Sequence, residues 1–189
     1  LSHCFQELED NNSVRCIILT GAGEKAFVAG ADISEFSEFS VPQGRALSAQ
    51  GNEKLFNKVE DLNTPVIAAV NGFALGGGLE LAMGCHIRVA SDNARLGLPE
   101  VSLGVIPGYG GTQRLPQLVG KGRALEMITS AQMINAEQAA SWGLVNHVVP
   151  QEELIEKCQS IASKIIRNSP TAIAHAIQAV NTGFEEGRD

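Results

Sequence analysis

Residues 66–85 constrain this chain more than any other stretch. Twenty consecutive residues carry one charge, Glu80, and five glycines, three of them adjacent as Gly76-Gly77-Gly78. An apolar run of that length can span a membrane as a helix, but three successive glycines and Asn71 would break it. The stretch reads instead as a buried strand over residues 66–70, a turn through Asn71-Gly72 and the glycines, and a helix over residues 79–83.

The rest of the chain repeats that alternation. Short β-branched runs predict further strands at residues 14–20, 86–90 and 144–149. Helical spacing predicts helices over residues 43–62, 112–119, 121–130, 136–142, 151–167 and 171–182. Asn135 with Gln138 reads as a capping box, and Gly183 as a helix stop. Residues 25–33 read as a small-residue loop and residues 96–111 as irregular. Strands alternating with helices give an α/β class. The chain has 189 residues, 44% of them hydrophobic and 19% charged, which suits one globular domain or a small pair. Residues 1–150 are expected to form the core domain, and residues 151–189 the start of a C-terminal helical region. Residues 1–12 read as the tail of a helix, without an initiator Met, and the chain closes on Glu185-Glu186-Gly187-Arg188-Asp189. It is therefore expected to be the middle of a longer protein, or its ordered part.

Composition removes several functions. With 14 Lys and Arg against 21 Asp and Glu, the net charge is −7 and no basic run is present, a poor match for nucleic acid or anionic membrane. Cys4, Cys16, Cys85 and Cys158 form no CxxC pair, and His3, His86, His147 and His175 form no HxxxH. No metal site or disulfide framework is expected, and a reducing compartment fits. There is no GxSxG for serine hydrolysis and no GxGxxG or GK[ST] for nucleotide phosphates. Adjacent Cys85 and His86 read as a core thiol and a strand histidine rather than a nucleophile and its base. Trp142 and Tyr109 are the only Trp and Tyr, too few for a base-stacking platform.

Chemistry is signalled by isolated carboxylates. Glu80 is the only charge in residues 66–85, Glu100 the only one between Leu96 and Thr112, and Asp32 the only one from Ala26 to Ser34. A carboxylate in an apolar run must be paired, hydrogen-bonded or protonated, and burial raises its pKa toward the range useful for acid–base catalysis. A solvated or capping glutamate is the plainer reading of either residue alone, but each stands beside a glycine cluster. Gly76-Gly77-Gly78 ends a strand and opens a helix, where free N–H groups can meet a carbonyl oxygen that gains negative charge. Gly108-Tyr109-Gly110-Gly111 exposes donors at another helix start.

Four segments in register resemble the crotonase, or enoyl-CoA hydratase/isomerase, superfamily. They are Ala26-Phe27-Val28-Ala29-Gly30-Ala31-Asp32-Ile33, the run from Ala69 to Ala82 around the three glycines, Gly97-Leu98-Pro99-Glu100, and Ile106-Pro107-Gly108-Tyr109-Gly110-Gly111-Thr112-Gln113-Arg114-Leu115. The resemblance runs from about Val14 through Asn181. It implies a spiral of repeated ββα units with C-terminal helices, assembled as trimers or dimers of trimers. It implies that Ala31 and Gly77 form an oxyanion hole for a thioester, that Glu80 and Glu100 are the catalytic pair, and that Gly108 donates to the catalytic water. Ala29, Ala31, Asp32, Ile33 and Gly77 match positions that bind the CoA thioester.

The activity so implied is syn addition of water to a trans-2-enoyl-CoA, giving a 3-hydroxyacyl-CoA, in fatty acid or related acyl-CoA metabolism. It needs no cofactor beyond the CoA thioester, which is substrate. Family precedent gives Glu80 as base and Glu100 as acid. An enoyl-CoA isomerase is the alternative, disfavoured because both glutamates are present. An RNA-binding relative is a more distant one, disfavoured because residues 52–61 hold two lysines against three acids. No nucleic-acid or membrane partner is expected, and the implied location is a bacterial cytoplasm or a mitochondrial matrix.

Overall fold

The computed structural model describes residues 1–30 and 39–185. In chain order they form α1 (Ser2–Asp10), β1 (Ile17–Thr20), β2 (Ala26–Val28), α2 (Val41–Gly51), a π turn (Asn52–Phe56), α3 (Asn57–Glu60), β3 (Val66–Val70), β4 (Phe73–Leu75), α4 (Gly77–Gly84), β5 (Ile87–Ser91) and β6 (Arg95–Gly97). A 3₁₀ turn (Glu100–Leu103) leads to α5 (Gly111–Val119), α6 (Lys121–Ser130), β7 (Met133–Asn135), α7 (Ala136–Trp142) and β8 (His147–Val149). A second 3₁₀ turn (Gln151–Glu153), α8 (Leu154–Ile165) and α9 (Pro170–Glu185) complete the described chain.

The eight strands separate into two sheets, one parallel and one mixed. One has the order β1-β3-β5-β8 and is parallel throughout; the other has the order β2-β4-β6-β7, with β7 antiparallel to β6. Successive strand pairs therefore alternate between sheets before each helix. That is the expected spiral of ββα turns.

β3 shows why the parallel sheet lies inside. All five of its residues are buried. Val66, Ala68 and Val70 face the main core, while Ile67 and Ala69 face a smaller cluster with Val89, Leu154 and Cys158. Strand alternation thus feeds two apolar layers, and α8 covers the outer one.

The structure corrects the sequence reading in four places. Residues 25–33 are not all loop: Ala26–Val28 is a strand, because Phe27 is buried and β2 pairs with β4. Residues 96–111 are not wholly irregular, since they hold most of β6 and the Glu100–Leu103 turn. The helix expected over residues 43–62 is interrupted by the π turn. Gly183 does not stop the last helix, which continues to Glu185.

Candidate active site

The mixed sheet delivers both glutamates to one end. β4 and β6 are parallel neighbours with Leu75 opposite Gly97. The ladder continues one step, as Gly76 N–H donates to the Gly97 carbonyl at 2.9 Å. From there β4 passes through Gly76 into α4, whose first turn carries Glu80, and β6 passes through Leu98-Pro99 to Glu100. β2, the other neighbour of β4, ends on the same side and brings exposed Ala29 there.

The three glycines do different work. Gly76 has φ +53°, and a Cβ there would stand 3.0 Å from Glu100 Oε1. Both its conformation and its closeness to the carboxylate favour glycine. A Cβ on Gly78 would overlap the Val28 carbonyl, so α4 packs directly against the end of β2. Gly77 has no such demand: a Cβ would make ordinary contact with Tyr109, at 3.5 Å. It opens α4, so the N–H groups of its turn have no acceptor within the helix.

Glu80 is 1% exposed. Its Oε1 accepts the N–H groups of Tyr109 and Gly111, both at 2.8 Å. Its Oε2 is buried and has no partner among the described residues. Burial pushes its pKa up, against the two backbone donors and the Arg114 guanidinium. Glu100 is half-buried and likewise has a buried Oε2 without a partner. Burial pushes its pKa up to about 7; its own backbone N–H opposes this, and the Glu80 charge adds to it. The two carboxylates therefore sense one another.

The loop before α5 holds Glu80 in place. Arg114, in α5, is buried and binds Glu60 Oε2 through Nε at 2.9 Å and Nη2 at 2.5 Å, Asn57 Oδ1 at 2.9 Å and the Tyr109 carbonyl at 2.9 Å. The Tyr109 ring stacks on Phe56 with centroids 4.5 Å apart and planes 5° from parallel. The Gly108 carbonyl accepts from Ser48 Oγ and, at 2.9 Å, from Asn52 Nδ2. Gly108 N–H has no partner among the described residues.

Glu80, Glu100, Gly77 and Gly108 thus lie around one strand end, with Ala29 at its border. Ala31, Asp32 and Ile33 lie outside the described residues. Cys85 and His86 stand apart from this chemistry. Burial pushes the Cys85 thiol up to about 12, and His86 Nδ1 accepts from Val66 N–H at 2.9 Å. A cavity of about 360 Å³ beneath α9, lined by Glu60, His86, Arg88 and Phe184 among others, includes neither glutamate of the pair.

Sequence reading identified the glycine-rich loop as a source of donors but not Glu80 as their acceptor. It missed Ser48 and Asn52 altogether. Their target is a backbone carbonyl 60 and 56 residues away, and such a bond leaves no local pattern.

Comparison with known proteins returns one family across the chain. The enoyl-CoA hydratase/isomerase family model matches residues 1–188. The chain is 53% identical over 185 residues to the short-chain-enoyl-CoA hydratase of Clostridium acetobutylicum, covering 98% of this chain and 70% of that protein. It is 47% identical over 182 residues to the crotonyl-CoA hydratase of Syntrophomonas wolfei, covering 96% and 70%. The crystal structure of enoyl-CoA hydratase from Bacillus anthracis is similar with TM-score 0.90 and 45% identity, over 97% of this chain and 70% of that one.

Proposed function

The chain belongs to the enoyl-CoA hydratase/isomerase family and acts as an enoyl-CoA hydratase, and we propose that Glu80 and Glu100 together add one water to a trans-2-enoyl-CoA. The observation that carries this reading is the pair of buried, unpartnered oxygens, Glu80 Oε2 and Glu100 Oε2, at adjoining strand ends. A buried acceptor without a partner is costly, and a water between two such atoms would relieve both.

The division of labour follows from the donors. Two backbone N–H groups favour the ionised form of Glu80, which suits the base. Glu100, with its pKa raised to about 7, is substantially protonated near neutral pH and suits the acid. Glu80 takes a proton as the water oxygen bonds to C3, and Glu100 delivers its proton to C2. Both groups work from one side, hence syn addition. The negative charge that develops on the thioester oxygen is met by Gly77 N–H at the start of α4, with Ala31 as the second donor; such a donor is worth roughly 3–4 kcal/mol. Gly108 N–H would hold the water, and Ala29, Asp32 and Ile33 would border the CoA. The active assembly is a trimer or a dimer of trimers.

The test follows crotonyl-CoA loss by absorbance. Glu80→Gln and Glu100→Gln should each lower kcat by about 100-fold or more, with KM changed far less. The double variant should be little worse than the poorer single one, because a lone carboxylate cannot complete the proton circuit. Undiminished turnover after Glu100→Gln, or faster conversion of a 3-enoyl-CoA than hydration of a 2-enoyl-CoA, would reject the two-glutamate hydratase.

A further inference from the structure

The peptide that joins Gly108 to Tyr109 is gripped at both ends. Its carbonyl accepts from Ser48 Oγ and from Asn52 Nδ2, and its N–H donates to Glu80 Oε1 at 2.8 Å. Ser48 lies in α2 and Asn52 opens the π turn one helical turn later, so both side chains leave the same face. A carbonyl oxygen has two lone pairs, and here two side-chain donors use them. Because the peptide is planar, fixing its oxygen fixes the direction of its hydrogen. Hydrogen bonds on the two ends of one peptide also polarise each other, which makes the N–H a better donor.

We propose that Ser48 and Asn52 are positioning residues for Glu80, acting through the Gly108–Tyr109 peptide to hold its N–H on the carboxylate. The proposal rests on the reading of Glu80 as the base. Neither side chain touches the carboxylate; their effect reaches it along one amide. The Tyr109 N–H is one of the two donors that oppose the burial of Glu80, so loosening that peptide lets the carboxylate take a proton at higher pH. Asn52 adds a second indication. Its Oδ1 is buried without a partner among the described residues, a cost that a smaller apolar side chain would not carry. Stability alone does not account for an amide there.

The experiment measures kcat/KM against pH in the complete protein, with crotonyl-CoA as probe. Ser48→Ala, Asn52→Ala, the double variant and Ser48→Thr are compared with wild type. In free enzyme the acidic limb reports the base and the basic limb the acid. The double variant should move the acidic limb up by about 0.5–1 unit, the singles less, with the basic limb in place. Ser48→Thr keeps a hydroxyl and should restore the wild-type limb. A limb that stays put in the double variant, whatever the loss of rate, reduces both residues to packing and overturns the proposal. Equal shifts in Ser48→Thr and Ser48→Ala would remove Ser48 from it. Glu80→Gln in the same series keeps the two readings apart: full activity there rejects Glu80 as base, whereas an inactive Glu80→Gln beside an unmoved limb rejects only the positioning role. If the double variant does not fold, ¹³C titration of the Glu80 carboxyl in the single variants reads the smaller upward shift expected of each, without turnover, and its absence in both overturns the proposal.

Discussion

Glu100 differs from Glu80 in what opposes its burial. Its own N–H is the one backbone donor against desolvation, whereas Glu80 has two from the loop before α5. The folded pKa of about 7 stands above the ordinary glutamate value of 4.5, so between those values the folded chain holds more protons than the unfolded one. Stability contributed by the protonated group is complete below pH 4.5 and is lost as pH rises through about 7. Glu100→Gln removes that titration. At pH 8 the variant should melt about 2–5 °C above wild type, a figure kept small because solvent screens a half-exposed group, and the gain should vanish near pH 4. Scanning calorimetry at the two pH values decides it. A wild type that melts higher than the variant at pH 8 would mean that Glu100 is not held against its charge.

Helix α4 carries the site, and its three opening glycines separate the demands made on it. Gly78→Ala must push α4 off the end of β2, because the added methyl meets the Val28 carbonyl. Overpacking of that kind costs about 1–3 kcal/mol. Gly77→Ala meets only ordinary contacts and gains about 1 kcal/mol of helix propensity. Urea melts should therefore show Gly78→Ala destabilised and Gly77→Ala at or above wild type. Crotonyl-CoA turnover should fall in Gly77→Ala all the same, since the methyl enters the space proposed for the thioester; full activity in a stable Gly77→Ala would move the thioester elsewhere. The same element shows how far sequence reaches. The glycine run after an apolar strand announced the turn into a helix, and the isolation of Glu80 and Glu100 announced the carboxylates. All four strands of the parallel sheet were legible, because each lies in an apolar run long enough to stand out; even β8, three residues long, closes the run over residues 144–149. The strands of the mixed sheet, which have no such flanking runs, were not. Ala26–Val28, Phe73–Leu75, Arg95–Gly97 and Met133–Asn135 have three residues each, below the length at which a period can be recognised. That sheet exists because its strands pair across the spiral, and pairing of that kind has no local sign.

At the scale of the molecule the spiral leaves apolar surface uncovered. Val41, Ile106, Val180 and Phe184 are 86%, 70%, 58% and 63% exposed, and Leu103 and Val105 stand beside Ile106. Single exposed apolar side chains are ordinary, but three within four residues form a patch. This patch follows directly on the turn that begins with Glu100, so a subunit seated there would also cover the approach to the site. No helix among the described residues is long and apolar enough to cross a membrane. Another copy of the chain is the occupant proposed here, in keeping with the trimer or dimer of trimers. Closed rings bury one patch per contact and stop growing, which keeps such a surface from driving aggregation. Light scattering on the complete protein at micromolar concentration should return three or six times the subunit mass. It should hold that mass on dilution, because burying these side chains contributes roughly 1.5–3 kcal/mol each. A monomer under those conditions, active on crotonyl-CoA, would show that the site works without a neighbour and that the patch has another use.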